Sequence, residues 1–203
     1  MEYFSDFTWV KAIDMAGLVL GLIYLWLEFK ASIWLWLVRV IMPIVNGYLY
    51  WARGLYADFG MEVYYVLAAV YGYAMWRWSH NHGTSGEKAT ERPITRFPLR
   101  RVLPVALIGL ALWGIIYWIL ITWTDSSVPV CDSFTTALSM VALWALAQKY
   151  AEQWLLWLVV DAVCTVLYIY KQIPFTACLY AFYTVMAVLG YRSWLRKMRV
   201  YSL

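Results

Sequence analysis

The run VLPVALIGLALWGIIYWILITW, residues 102–123, contains no ionisable group except the phenol of Tyr117. It is long enough to cross a hydrocarbon core, which takes roughly twenty apolar residues in a helix. Rich in Leu, Ile and Ala, with Gly109 and Gly114, it suits a helix that faces lipid or packs on a neighbour. What decides the fold is that this run has no counterpart, while the segments on either side of it match each other. Trp34 and Trp154, Tyr48 and Tyr168, and Tyr50 and Tyr170 lie 120 positions apart. Tyr65 and Tyr183, Gly72 and Gly190, Tyr73 and Tyr191, and Trp76 and Trp194 lie 118 apart. The change of offset falls between Tyr50 and Tyr65, where a loop absorbs two residues. Internal duplication in an apolar chain is a mark of transporters.

Composition sets the solvent. Of 203 residues, 64% are hydrophobic and only 14% charged, more apolar surface than a soluble core of this size can hide. The apolar stretches give seven helices, near 12–29, 32–52, 61–78, 102–123, 131–147, 153–170 and 174–193. Sustained strand alternation is absent, which argues against a membrane barrel. The expected fold is therefore an all-α integral membrane protein of seven transmembrane helices in a 3+1+3 plan. Residues 1–78 form the first three-helix repeat, 79–101 a cytoplasmic loop, 102–130 the linker helix and an outer loop, and 131–203 the second repeat with a basic tail. Three crossings alone would invert the second repeat; the linker returns the chain to its starting side, so the repeats run parallel about an axis along the membrane normal.

Basic residues orient the chain. Lys30, Arg77, Lys88, Arg92, Arg96, Arg100, Arg101, Lys149, Arg192, Arg196, Lys197 and Arg199 fall on one side, and only Lys11, Arg53 and Lys171 on the other, with Arg39 inside the second helix. The positive-inside rule then places the N-terminus outside and the C-terminus in the cytoplasm, across a bacterial inner membrane. The formal charge of +4 reflects this topology and not affinity for nucleic acid. Ser79–Arg101 mixes Gly, Ser, Thr, Pro and charge and reads as a flexible connector. Acidic Glu2 and Asp6 precede the first apolar stretch, unlike the basic start of a cleavable signal. Cys131, Cys164 and Cys178 have no zinc-like spacing and read as packing thiols.

With L-Y-A-D at Leu55–Asp58, Glu62, Tyr65 and Y-G-Y-A-M-W at Tyr71–Trp76, the first half resembles the PnuC family of bacterial vitamin transporters. The second half does so through A-L-S at Ala137–Ser139, W-L-L-W at Trp154–Trp157, Asp161, L-Y-I-Y-K at Leu167–Lys171 and G-Y-R-S-W at Gly190–Trp194. The resemblance implies a fold like that of the sugar-conducting SWEET proteins and passage of a B-vitamin, nicotinamide riboside or thiamine. It also implies facilitated diffusion without ion or ATP coupling, the cargo being trapped by a cytoplasmic vitamin kinase, and a homotrimer. Where nicotinamide riboside members tend to carry Gln, this chain has Glu62, Met75 and Leu143, which raises thiamine.

Both vitamins contain a cationic aromatic ring, and a cation over an indole or phenol face gains roughly 0.5–2 kcal/mol per good contact. Trp154, Trp157, Asp161 and Tyr168 share one face of the sixth helix, which reads as a stacking wall with one carboxylate. The plainer alternative puts Trp154 at the headgroup boundary. An ionisable group as deep as Asp161 needs a partner or a wet cavity. At an offset of 120, Arg39 corresponds to Val159, so an Arg39–Asp161 structural ion pair across the repeats is expected, fixing register or touching cargo. Glu62, whose repeat-mate is Tyr180, either holds a cationic ring or is solvated at a helix start. Asn46, Ser139, Thr135 and Thr136 bond either a sugar-like hydroxyl of the cargo or neighbouring helices. Tyr180 and Tyr183 either complete the wall or pack.

Other classes fit less well. A retinal protein needs a Lys within its last helix, and Lys171 precedes it. A seven-helix receptor shares the topology but not the repeat. His80 and His82 sit in the loop without a third ligand, so neither a metal site nor an intramembrane enzyme is expected. No Walker motif is present, and no cofactor is implied. Asp14 and Glu28, at opposite ends of the first helix, read as solvated, and Pro43 as a possible hinge of the second. Two repeats rocking about a central aromatic site give alternating access. The competing reading is a membrane-bound vitamin sensor that binds without transporting.

Overall fold

The computed structural model describes residues 19–52, 56–78, 92–124, 126 and 128–200. Expectations resting on Glu2, Asp6, Lys11, Asp14, Arg53, His80, His82 and Lys88 lie outside them. The described residues form seven helices: α1 (19–30), α2 (Leu35–Ala52), α3 (Tyr56–Trp78), α4 (Val102–Trp123, preceded by a 3-10 turn at Leu99–Arg101), α5 (Pro129–Ala147), α6 (Gln153–Tyr170) and α7 (Pro174–Val200). Helix is the form in which a lipid-embedded backbone satisfies its own polar groups. Among the described residues, Leu99–Trp123, Pro129–Ala147 and Gln153–Tyr170 are long and apolar enough to cross a membrane. No residue of α4 is buried, and Leu103, Leu107, Ile108, Ile115 and Trp118 are all more than half exposed, as a lipid-facing helix requires. Pro129 and Pro174 open α5 and α7, where a missing N–H costs nothing. α7 runs past its expected end into the basic tail, and α3 begins at Tyr56, ahead of its expected start.

The chain divides into two compact units, 1–84 and 85–203. In the first, α2 packs on α3; in the second, α6 packs on α7, α5 on α6, and α4 on α5. Both hairpins are built on the same lock. Trp36 meets Trp76 edge-on, with ring centroids 5.5 Å apart and planes at 89°. Trp154 meets Trp194 in the same way, at 6.0 Å and 86°. All four indoles are almost wholly buried. Gly72 faces the ring of Trp36 and Gly190 that of Trp154, each glycine lending the space a Cβ would fill.

These contacts correct the register of the repeat. Trp36 and Trp154, Gly72 and Gly190, and Trp76 and Trp194 are each 118 apart, as are the starts and ends of α2 and α6. A single offset therefore runs through both helices of the hairpin, with no slip between Tyr50 and Tyr65. Trp34, expected to match Trp154, lies in the turn before α2 and is 65% exposed, whereas Trp154 is 2% exposed. Tyr48, 74% exposed, matches Val166, 69% exposed, and not the half-buried Tyr168. Arg39 accordingly matches Trp157 and not Val159, and Pro43 matches Asp161.

The turns obey the same register. Ala31 and Lys149, 118 apart, have φ of 56° and 54°. Each ends its helix with paired backbone bonds: Ala31 N to Glu28 O and Ser32 N to Leu27 O at 2.9 Å, Lys149 N to Leu146 O at 2.8 Å and Tyr150 N to Ala145 O at 3.0 Å. This is the Schellman closure that usually takes glycine at the left-handed residue. Gln172, φ 58°, closes α6 likewise through Ile173 N to Tyr168 O at 2.9 Å.

Two further expectations are overturned. The second half of the connector 79–101 is pinned to the α5–α6 turn. Thr95 N donates to Lys149 O and Ala151 N to Thr95 O, both at 3.0 Å, and Arg92 donates to Gln148 at 2.8 Å. Ile94 is buried, and Phe97 stacks edge-on against Trp144 and Tyr150. Glu28, read as solvated, is 3% exposed. It lies on the face of α1 that carries Tyr24, whose ring is 4.6 Å from the Arg39 guanidinium.

Candidate functional site

In the second unit the facing sides of α6 and α7 carry most of the expected residues. α7 runs back along α6 after the tight Lys171–Ile173 turn, so its residues meet those of α6 in reverse order. At one end the Trp154–Gly190–Trp194 lock consumes Trp154 in packing. Trp154 is thus buried against Gly190 and Trp194 and does not stand as an open stacking wall. Trp157, one turn on, is half-buried.

At the other end the rings are available. Tyr168 and Tyr180 stack with centroids 5.2 Å apart and planes at 13°, and Tyr183 stands perpendicular to Tyr180 at 6.0 Å and 82°. All three are half-buried. Asp161 is 7% exposed and lies close enough to Tyr180 and Tyr183 for its charge to act on both hydroxyls. Cys164, a free buried thiol, fills the turn between Asp161 and Tyr168. The structure thus gathers Asp161, Tyr168, Tyr180 and Tyr183, an aromatic surface bordered by a carboxylate.

Three residues that sequence reasoning missed close the far end of this surface. Lys171 Nζ lies 3.7 Å from Asp132 Oδ1 and 6.0 Å from the Tyr168 ring centroid, and Ser126 Oγ donates to Asp132 Oδ2 at 2.7 Å. Asp132 sits in the first turn of α5, where the helix dipole favours an anion. The signal was present in the sequence: an acid three residues after a helix-opening proline. The pair is about a third exposed, so its worth in stability is at most about 1 kcal/mol.

The hydroxyls of α5 divide. Thr135 donates to Cys131 O at 3.0 Å and Thr136 to Asp132 O at 2.7 Å, bonds back into their own helix that use up the donors. Ser139 is half-buried farther along α5.

In the first unit, Glu62 is half-buried on α3 and packs against α2, its Cβ lying 3.5 Å from where a side chain on Gly47 would begin. At the common offset Glu62 matches Tyr180 and Tyr65 matches Tyr183, so each unit carries a polar pair at the same place on its hairpin. Arg39, lying over Tyr24, is near enough for its charge to reach Tyr64 and Tyr65. Asn46 is half-buried beside Gly47 on α2. Pro43 is buried within α2.

Comparison with known proteins agrees with this architecture. A family model described as nicotinamide mononucleotide transporter matches residues 11–196. The riboflavin/roseoflavin transporter RibM of Streptomyces davaonensis is 26% identical, over 89% of this chain and 83% of its own. The nicotinamide riboside transporter PnuC of Escherichia coli is 24% identical, over 96% of this chain and 88% of its own. The crystal structure of the vitamin B3 transporter PnuC superposes with a TM-score of 0.65 at 26% identity, covering 89% of this chain and 79% of that one. With its matching helical fold and a family match spanning nearly its whole length, the chain is a multi-pass membrane protein that belongs to the PnuC family of transporters.

Proposed function

We propose that this chain carries a B-vitamin with a planar heteroaromatic ring, thiamine or nicotinamide riboside, across the bacterial inner membrane by facilitated diffusion. The observation that carries this reading is the Tyr168–Tyr180 stack with Tyr183 and buried Asp161 beside it. Tyrosine faces receive a flat ring by stacking, and a carboxylate at their border favours one that is cationic. Relatives are named for nicotinamide riboside and for riboflavin, which supports the vitamin class. Riboflavin's ring is neutral and gains nothing from Asp161; thiamine and nicotinamide riboside are cations.

In this proposal Glu62 and Asn46 of the first unit and Ser139 of the second contribute polar contacts. The two three-helix repeats run parallel and rock to give alternating access, with α4 as the linker, the N-terminus outside and the C-terminus in the cytoplasm. A cytoplasmic kinase retains the cargo, and three copies assemble. Arg39 and Asp161 form an ion pair.

The test is uptake of radiolabelled thiamine, nicotinamide riboside and riboflavin into proteoliposomes containing the purified chain, with and without the matching kinase enclosed. Accumulation of one cationic vitamin only with its kinase supports the proposal. Entry of riboflavin alone overturns the role given to Asp161, and entry of none favours a sensor.

A further inference from the structure

We infer that the groove between α4 and α5 binds one acyl chain of an anionic glycerophospholipid, with its headgroup phosphate at Arg96 and Arg100. A cavity of about 870 Å³ opens along these helices, lined by Val105, Ala106 and Gly109 on one side and Ala137, Leu138 and Val141 on the other. Gly109 and the two alanines leave the furrow, and a Cβ on Gly109 would come within 3.6 Å of Val141. The groove lies wholly in the second unit, away from the aromatic surface on α6 and α7.

Its length and its ends identify the occupant. From Val102 to Trp113 the wall is about 16 Å long at a rise of about 1.5 Å per residue. That is about half of a hydrocarbon core of roughly 30 Å, the depth of one leaflet. A helix of a second copy would need a groove running the full depth. At the far end Trp113 meets Phe134 edge-on at 5.4 Å, and Trp113 Nε1 donates to Ser133 Oγ at 3.1 Å, closing the groove with a floor. At the mouth stand Arg96, with its side chain 60% exposed, and Leu99, which is 87% exposed, with Arg100 next in sequence and also exposed.

The acid at the mouth offsets only one of these charges. Glu152 accepts a 2.7 Å bond from Phe97 N, and Arg96 approaches it only to 3.9 Å. Arg101 donates to the Tyr150 hydroxyl at 3.0 Å and keeps its charge. An apolar slot one leaflet deep beneath a cluster of arginines has the chemistry of a lipid with an anionic head.

The experiment uses the full chain purified in detergent, with phosphatidylglycerol or phosphatidylcholine added and bound lipid counted by native mass spectrometry. Retention of phosphatidylglycerol over phosphatidylcholine is expected, by about fivefold for each arginine at the headgroup. The double variant Arg96→Gln/Arg100→Gln should hold both lipids equally, and Ala106→Leu, which fills the groove at an exposed position, should retain neither. A headgroup preference that survives the arginine variant, or retention unaffected by Ala106→Leu, overturns the inference. So does a Val105→Cys chain that cross-links efficiently to a second copy through this position, which would make the groove a subunit interface. Each readout is independent of vitamin uptake.

Discussion

The indole of Trp154 occupies the space above Gly190, where a Cβ would fall 2.6 Å from the ring. Trp36 and Gly72 repeat this relationship 118 residues earlier, so one packing device holds both hairpins. Gly190→Ala and Gly72→Ala are each expected to destabilise by between about 1 and 3 kcal/mol, the usual cost of forcing an extra methyl into a filled core. The melting temperature in detergent should fall by about 2–4 °C per kcal/mol for a chain of this size. Gly114→Ala, whose Cβ meets nothing within 4 Å, is the control and should leave it unchanged or raise it slightly, since alanine is the better helix former by up to about 1 kcal/mol.

The stacked tyrosines separate binding from packing. Tyr180→Phe keeps the ring and should change transport little, whereas Tyr180→Ala removes one face of the stack and should weaken apparent affinity about 3- to 10-fold, in line with the worth of an aromatic pair. Concentration-dependent uptake into proteoliposomes measures this. Equal affinity in Tyr180→Ala would show that the stack serves only to pack α6 on α7.

Much of this arrangement was readable from the chain because lipid imposes helices, and length with apolarity then finds them. The α6 face carrying Asp161 and Tyr168 follows from residue spacing alone. Register was harder. In a chain with fourteen tryptophans and seventeen tyrosines, like matches like at more than one offset, and Trp34 competed with Trp36 for the place opposite Trp154. Only the glycine across the hairpin decides, and that partner is distant in sequence. The stretch 92–101 looked like a polar linker because its ordering comes from backbone bonds of Thr95 to Lys149 and Ala151, which no local pattern encodes. Glu28 looked solvated because a position near a helix end says nothing of what packs there.

Arg39 and Asp161 offer a test of coupling between the halves. If they pair, Arg39→Met and Asp161→Asn should each lower folded yield and uptake, because removing one partner of a buried pair costs about 3–5 kcal/mol. The double variant should recover most of the loss. Strictly additive losses in the double-mutant cycle would dissolve the pair and assign each charge to its own cluster, Arg39 to Tyr24 and Asp161 to Tyr180 and Tyr183.

The three helix ends closed by non-glycine residues in the left-handed region predict an easy gain in stability. Gln172 is exposed, and its side-chain amide makes only a 3.5 Å contact with Ile169 O, so little is lost by removing it. The left-handed conformation costs a residue with a Cβ about 1–2 kcal/mol, and glycine escapes most of that while losing more entropy on folding. Gln172→Gly should therefore stabilise by up to about 1 kcal/mol and raise the melting temperature by a few degrees. Lys149→Gly, at the matching turn, should not: Lys149 is 3% exposed, and its side chain packs where the connector docks. A fall in melting temperature for Gln172→Gly would mean that the α6–α7 turn does not hold the φ of 58° on which this argument depends.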